Sequence, residues 1–326
     1  MVKGLLFISL IVIAFQTIAQ GPYAPHAGQT GTTAIHKDST AIVFWATTST
    51  VTRGLQNASN VSLGNANVGT SGSATGKSGL NGIVSLGDGG SATLTFNAPI
   101  INGAGADFAV FENSFNNTFL ELAFVEVSSD GTTFFRFDAI SLTDASIQLD
   151  NNAVIDATNI YNLAGKYRSQ YGTPFDLDEL AGTPGLNVNN ITHIKIIDVV
   201  GSINPLYATF DSQNNPINDP WPTAFGSSGF DLDAVGVINS SATAIYELAN
   251  NNITIFPNPI KDVLNIQLEK YQNYEYAILN LNGKTIESGS FRSNTHQVKT
   301  DNLGSGVYFL QLKSSNDVIT KKMIKF

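Results

Sequence analysis

The sequence predicts an all-β chain, with an antiparallel β-sandwich or jelly-roll-like body that contains one short helix, followed by a second, small β-sandwich. Two observations carry this prediction. Short runs rich in β-branched and aromatic residues recur between turn-forming residues, and they do not alternate with the helices that a parallel α/β fold needs. The 326 residues, 42% of them hydrophobic, are also enough for about two domains with real cores.

The first element is an N-terminal signal peptide, predicted at residues 1–19. A basic start at Lys3 precedes an apolar run over residues 4–15, and the small residues Thr17 and Ala19 stand before the expected cleavage point. A membrane anchor is the alternative, but the run falls well below the ~20 residues that a spanning helix needs. We therefore expect a mature chain without a transmembrane segment, which passes the periplasm and is secreted or displayed at the outer cell surface.

The body, residues 20–240, is predicted to consist of short strands. Residues 120–127 alternate between two faces, and Ser129-Asp130-Gly131-Thr132 then makes a tight turn, which indicates a β-hairpin. The one short helix is predicted at residues 158–171, ended by Gly172 and Pro174. Further strands are predicted at residues 41–47, 92–96, 108–111, 134–137, 193–199 and 234–238.

Charge separates this body from the C-terminal module, residues 253–326. Residues 247–326 hold nine basic and seven acidic side chains, a net charge of +2, so residues 1–246 carry −11 of the chain's total of −9. Such asymmetry indicates two modules with different roles. The polar, small-residue stretch 241–252 is the predicted linker between them.

The C-terminal module carries four signatures in order. They are FPNP at residues 256–259, a hairpin at Asn282-Gly283, LGSGVYFL at residues 303–310 and a basic final strand at residues 318–326. This series resembles the type A C-terminal sorting domain of the type IX secretion system of Bacteroidetes. The resemblance implies a small immunoglobulin-like sandwich that the secretion machinery recognises at the outer membrane. It also implies that the cargo is released or joined to surface lipopolysaccharide.

Composition and motifs exclude several classes of function. Without cysteine the chain has no disulfide, thiolate nucleophile, Cys-ligated zinc or N-terminal lipid. Its negative charge argues against nucleic-acid binding. No Gly-x-Ser-x-Gly or His-x-x-x-His pattern occurs, and residues 71–78 depart from a phosphate-binding loop because Ser71 replaces the first glycine. We therefore expect a protein that is not an enzyme.

Paired carboxylates are the remaining candidates for chemistry. Asp107 and Glu112 bracket residues 108–111, while Asp231 and Asp233 lie two apart in one strand and so point to the same side. Hard oxygen ligands of this kind suit Ca²⁺, and these four residues are the predicted metal ligands. Two alternatives stay open: ordinary solvated or turn carboxylates, and a hydrolase that cleaves extracellular polysaccharide with Asp and Glu side chains.

A long stretch without strand pattern, residues 201–229, holds the predicted ligand-binding residues Asp219 and Trp221. Trp221 stands between two prolines and could stack on a sugar. Alternatively, it plugs the end of the sandwich.

The body also resembles an uncharacterised family of bacterial cell-surface proteins, which implies no particular activity. The resemblance covers residues 102–115, 120–130, 161–180 and 219–238. More loosely, the hairpin at residues 125–131 and the strand at 230–235 resemble galactose-binding-like jelly rolls, which often carry a structural Ca²⁺ and bind glycans through their end loops. We expect a Ca²⁺-stabilised module that binds glycan or another extracellular ligand; a polysaccharide hydrolase and a structural adhesion protein are the alternatives.

Overall fold

The computed structural model describes residues 21–241, 253–314 and 318–326. The predicted signal peptide and residues 242–252 of the predicted linker lie outside the described residues. The chain divides into two compact units, Met1–Ala242 and Thr243–Phe326.

Both units are built from antiparallel strands, as predicted. Helical structure in the described part of the chain is limited to short 3-10 turns, which are Val61–Leu63, Ser71–Ala74, Ala157–Asn159 and Leu177–Leu180. The all-β prediction is therefore confirmed.

The first sheet of the body centres on two strands that are buried along their whole length, β6 (Phe108–Glu112) and β13 (Asp231–Val237). Because these strands are buried on both faces, any polar side chain in them needs a hydrogen-bond partner inside the protein. The other strands of this sheet are β1 (Ile35–His36), β2 (Phe44–Trp45), β4 (Val84–Ser85) and β11 (Tyr171–Phe175).

The second sheet of the body has five strands and contains the predicted hairpin. That hairpin joins β7 (Ala123–Ser128) to β8 (Phe135–Arg136), with Glu126 opposite Arg136. Its turn is fixed by Asp130, whose Oδ1 accepts hydrogen bonds from the backbone N–H groups of Thr132 and Thr133, 2.8 Å each. The strands are, in sheet order, β3 (Thr48–Thr52), β5 (Ser91–Ile100), β12 (Ile191–Asp198), β7 (Ala123–Ser128) and β8 (Phe135–Arg136). A separate pair consists of β9 (Ile140–Ser141) and β10 (Ile160–Tyr161).

Aromatic side chains join the two sheets of the body. Phe44 of β2 contacts Phe96 of β5 with ring centroids 6.5 Å apart. Phe108 stacks on Phe175 at 5.3 Å, and Phe137 packs against both. Each such buried ring contributes about 1.5–3 kcal/mol to folding, so this core stabilises a body that has no disulfide.

The helix predicted at residues 158–171 is wrong. The structure has a 3-10 turn, Ala157–Asn159, followed by strand β10. Asn162 and Gly165 adopt the left-handed conformation (φ 50° and 84°), which an α-helix cannot contain. Gly165 lies so close to the Glu121 carbonyl that a Cβ would be 1.8 Å from its oxygen. Tertiary packing of this turn therefore overrides the local helix signals.

The C-terminal unit is a single five-stranded antiparallel sheet. Its long strand β15 (Val263–Leu279) pairs with β16 (Thr285–Lys299) along one edge, and with β14 (Ile253–Phe256) and then β17 (Gly306–Lys313) along the other. The predicted hairpin at Asn282-Gly283 joins β15 to β16, with Gly283 at φ 73°. The strands are β14 (Ile253–Phe256), β15 (Val263–Leu279), β16 (Thr285–Lys299), β17 (Gly306–Lys313) and β18 (Val318–Lys325).

Candidate functional site

Three of the four predicted metal ligands come together at the centre of the first sheet. Leu232 of β13 pairs with Glu112 of β6, so Asp231 and Asp233 flank the position opposite Glu112. All three acidic side chains are buried, and Glu112 is only 1% exposed. We refer to Glu112, Asp231 and Asp233 as the strand cluster.

Two members of the strand cluster are held by serine hydroxyls from another part of the chain. Ser85 Oγ donates a hydrogen bond to Asp231, and Ser78 Oγ donates one of 2.5 Å to Asp233 Oδ2. The Gly79 backbone N–H also donates to Asp233 Oδ1 at 2.9 Å. Residues 71–78, which superficially look like a phosphate loop, thus supply a buried structural contact.

Burial governs the protonation of the strand cluster. It raises the pKa of Glu112 well above its ordinary value, and the charges of Asp231 and Asp233 raise it further, although a hydrogen bond from the Ser114 N–H opposes the shift. Burial raises the pKa of Asp231 to about 6, against the opposing hydrogen bond from Ser85. The pKa of Asp233 is raised for the same reason. Glu112 Oε1 has no hydrogen-bond partner within the described ranges.

Asp107, the fourth predicted ligand, is not brought together with the other three. It precedes β6, whereas Glu112 ends that strand. Its carboxylate accepts hydrogen bonds from Gly103 N (2.7 Å), Leu177 N (2.7 Å) and Asn239 Nδ2 (2.9 Å). Burial raises the pKa of this carboxyl, and the three donors oppose the rise. Asp107 therefore links three segments of the chain by hydrogen bonds.

A second acidic cluster lines a cavity of about 10 Å³ at one end of the second sheet. Its members come from four separate segments of the chain, and sequence reasoning singled out just one of them, Asp219. We call this group the cavity cluster; it consists of Asp88, Glu121, Asp198 and Asp219.

Strand pairing and backbone hydrogen bonds position the cavity cluster. Asp198 ends β12 opposite Ala123 of β7, so it lies beside the segment that carries Glu121. The Leu122 N–H donates to Asp219 Oδ2 at 2.9 Å, which draws the 201–229 loop to the same place. The register of two strands thus converts residues far apart in sequence into neighbours.

Burial is also the main cause of the pKa shifts in the cavity cluster. It raises the pKa of all four carboxyls, and does so strongly for Glu121, Asp198 and Asp219. Mutual repulsion adds to the effect, because Asp88 raises the pKa of both Asp198 and Asp219. Across the described residues, no group of three His, Cys, Asp or Glu side chains is already positioned to coordinate a metal ion.

Trp221 lies against the cavity cluster. Its Nε1 donates a hydrogen bond of 2.9 Å to Asp88 Oδ2, and its ring packs near Tyr207 with centroids 6.1 Å apart. The predicted ligand residues Trp221 and Asp219 are therefore both engaged within the protein, and Asp219 is 4% exposed.

An open pocket of about 460 Å³ lies elsewhere in the body and was not predicted. Tyr23 and Tyr161 stack in it with ring centroids 5.0 Å apart. We call it the tyrosine pocket; its remaining lining residues are Pro22, Ala24, Thr33, Ile35, Ala106, Asn162, Lys166, Thr173, Pro174, Phe175, Asp176 and Glu179.

Polar groups in the tyrosine pocket are held in fixed positions. Glu179 accepts hydrogen bonds from the Tyr161 hydroxyl at 3.1 Å and from Asn162 Nδ2. Lys166 Nζ donates to the Ile160 carbonyl at 2.7 Å. Burial lowers the pKa of Lys166 to about 8, and raises that of Tyr161 to about 12 with help from the Glu179 charge. Sequence reasoning missed this pocket because its residues lie on five separated segments that carry no motif.

The FPNP segment of the C-terminal unit is anchored by its asparagine. Asn258 Oδ1 accepts a hydrogen bond from Ile324 N at 2.8 Å, and its Nδ2 donates to the Lys322 carbonyl at 3.2 Å. These contacts fasten the start of the unit to its final strand, because the adjoining prolines have no N–H group to offer. The short FPNP motif therefore connects the start of the unit to its last strand.

Comparisons with known proteins identify this unit. Residues 254–325 match the family described as the secretion system C-terminal sorting domain. A comparison with curated proteins finds no match.

Similar solved structures include an immunoglobulin-like β-sandwich protein from Bacteroides vulgatus, at 15% identity and TM-score 0.21, over 23% of this chain and 85% of the other. Another is PorZ of the type IX secretion system of Porphyromonas gingivalis, at 19% identity and TM-score 0.20, over 29% of this chain and 14% of the other. A third is a β-glucuronidase from Faecalibacterium prausnitzii, at 12% identity and TM-score 0.22, over 72% and 37%. TM-scores this low carry no inference.

The family match identifies the C-terminal unit. Within the described residues, no helix has the length and apolar character to cross a membrane. The matched segment coincides with the four sequence signatures and with strands β14 to β18. The C-terminal unit is a secretion system C-terminal sorting domain, and the chain is a secreted or cell-surface protein exported by the type IX secretion system.

Proposed function

We propose that the body of this exported protein is a binding module for a neutral extracellular glycan, which it takes in the tyrosine pocket. The observation that carries the proposal is the pocket itself: a cavity of about 460 Å³ that combines a stacked tyrosine pair with fixed polar groups. Pockets of this size, with apolar walls and a few convergent polar groups, are typical of small-ligand sites.

The lining chemistry favours a sugar without charge. Aromatic rings offer apolar faces to the C–H side of a sugar ring, while Asn162 and Glu179 can exchange hydrogen bonds with its hydroxyls. Lys166 is the one basic side chain among the residues that line the pocket, and the two acidic side chains there, Asp176 and Glu179, outweigh its charge. An anionic ligand would therefore meet no net positive charge.

We propose that the body binds without catalysing hydrolysis. The acidic side chains of the strand cluster, which a hydrolase would use, are buried; Glu112 is 1% and Asp231 7% exposed. A glycosidic oxygen must come within hydrogen-bond distance of a general acid, and these carboxyls are shielded from it.

We further propose that Ca²⁺ stabilises the body. The carboxylates of Asp88, Glu112, Glu121, Asp198 and Asp219 are buried, and none of them forms an ion pair within the described residues. Buried anions need a compensating partner, and a bound divalent cation supplies one.

A glycan array with the purified mature chain tests the binding proposal. We expect binding to neutral glycans, lost in Tyr161→Ala and weakened at least tenfold in Glu179→Gln. The matched control is Tyr271→Ala, which removes a 68% exposed tyrosine of the sorting domain and should leave binding unchanged. Equal melting temperatures would show that the variants are folded.

Two results of the same experiment would contradict the proposal. Absence of binding to every glycan would favour a structural adhesion protein. Release of reducing sugar from polysaccharide, abolished by Glu112→Gln, would favour a hydrolase instead.

A further inference from the structure

We infer that the cavity cluster, Asp88, Glu121, Asp198 and Asp219, is a Ca²⁺ site that fastens the Trp221 loop to the end of the second sheet. The inference rests on the proposed calcium stabilisation, and it is independent of glycan binding in the tyrosine pocket. It assigns the ion to residues other than the four predicted from sequence.

The shape of the site suits a single ion. Four carboxylates from four segments surround a cavity of about 10 Å³, the space of one water-sized sphere. Three of them already use backbone donors: the N–H groups of Gly89 and Phe230 bind Asp198, that of Ala58 binds Asp88, and that of Leu122 binds Asp219. These donors fix three of the four carboxylates at the wall of the cavity.

Glu121 supplies the second, independent observation. Its side chain is 8% exposed and lines the cavity, yet no donor in the described part of the chain bonds to its carboxylate. A buried carboxylate without a donor is costly, since it loses its hydration and gains nothing in return. A cation in the cavity removes that cost directly.

Basic side chains do not neutralise this cluster. The ion pairs found among the described residues involve Asp38 and Glu126, and none reaches the cavity cluster. Trp221 Nε1 donates to Asp88, but an indole N–H carries no net positive charge. The neutralising charge must therefore come from protons or from an ion.

The ligand chemistry selects Ca²⁺ among common ions. An all-oxygen shell of carboxylates suits hard cations, and Ca²⁺ accepts six to eight ligands at about 2.3–2.6 Å in an irregular arrangement. Mg²⁺ demands a regular octahedron at about 2.0–2.1 Å, which four carboxylates from unrelated segments match poorly. The Glu121 side chain, which no hydrogen bond restrains, can rotate to close the shell, and water supplies the remaining ligands.

Terbium luminescence tests the location, because Tb³⁺ replaces Ca²⁺ and emits when a nearby excited tryptophan transfers energy to it. The full mature chain has two tryptophans, Trp45 on β2 and Trp221 at the cavity cluster. We expect Tb³⁺ emission on tryptophan excitation that CaCl₂ competes away. It should be lost in Trp221→Phe and kept in Trp45→Phe; the reverse pattern would overturn the assignment.

Thermal unfolding separates this inference from the broader calcium proposal. At a CaCl₂ concentration about 100 times Kd, the melting temperature of the body should rise by about 5–10 °C. Glu121→Gln and Asp219→Asn should abolish the rise, whereas Asp233→Asn in the strand cluster should keep it. MgCl₂ should have no comparable effect.

The other outcomes have distinct meanings. A rise that survives both cavity variants and disappears in Asp233→Asn would overturn the assigned site and leave calcium stabilisation standing. No rise in the unmodified chain, together with no bound calcium by elemental analysis, would overturn both.

Discussion

Trp221 donates a hydrogen bond of 2.9 Å from Nε1 to Oδ2 of Asp88, a residue 133 positions earlier in the chain. The contact ties the long 201–229 loop to the turn that follows β4. It directs the indole towards the cavity cluster, while the tyrosine pocket is formed by other residues.

Trp221→Phe should lower the free energy of unfolding by about 1–3 kcal/mol, because Asp88 loses a donor in a buried setting. Denaturant unfolding of Trp221→Phe, Asp88→Asn and the double variant would measure the coupling. We expect the two effects to differ from additivity by at least about 0.5 kcal/mol. Strict additivity would show that the hydrogen bond adds nothing.

Ser78→Ala should destabilise the body by about 1–3 kcal/mol, since it leaves the buried Asp233 carboxylate short of a donor. Ser62→Ala is the matched control, because the Ser62 hydroxyl bonds to Asn60 at the exposed surface. Urea midpoints of the two variants provide the measurement. Equal midpoints would contradict a structural role for residues 71–78.

The free energy of unfolding of the body should increase as the pH rises above 8, because Lys166 loses its proton at a lower pH in the folded protein than in the unfolded chain. Burial lowers the pKa of Lys166 from 10.5 to about 8 in the folded protein. Between these values the unfolded chain binds more protons than the folded chain, so the free energy of unfolding increases with pH, by about 3 kcal/mol in all.

Denaturant unfolding at pH 7.5 to 11 would measure this rise. Lys166→Met should remove that part of the slope, whereas Lys77→Met, at an exposed position, should keep it. An unchanged slope in Lys166→Met would refute the assignment.

Gly201→Ala should be strongly destabilising, by about 3 kcal/mol or more, and should weaken any Ca²⁺ response. A Cβ at this position would lie 2.1 Å from Asp219 Oδ1 and 2.6 Å from the Asp219 carbonyl oxygen. The backbone there cannot withdraw without moving the carboxylate. Gly72→Ala is the control, because its Cβ would meet nothing nearer than 3.7 Å; comparable melting temperatures for both variants would be inconsistent with this account.

Removal of residues 253–326 should stop the protein in the periplasm. The deleted segment is the sorting domain, and the body should still fold because it has its own core. Cell fractionation with an antibody against the body measures the outcome. Leu281→Ala, which alters a 71% exposed side chain of that domain, is the full-length control. Normal surface appearance of the truncated protein would exclude the proposed export route.

The sequence by itself determined the all-β class and the sorting domain. Strand propensity, turn residues such as Asn282-Gly283 and the FPNP segment act over a few positions, so a single sequence displays them. The same local signals failed at residues 158–171, because packing of Gly165 against Glu121 is a long-range contact that no local pattern contains.

The candidate sites were decided by tertiary structure. Asp231 and Asp233 could be paired from strand periodicity, and the register of β6 with β13 then added Glu112 but not Asp107. The cavity cluster joins residues up to 131 positions apart in the sequence, from 88 to 219, and the tyrosine pocket joins residues up to 157 apart, from 22 to 179. Strand register and loop packing bring such side chains together, and these depend on the whole core rather than on the residues of the site.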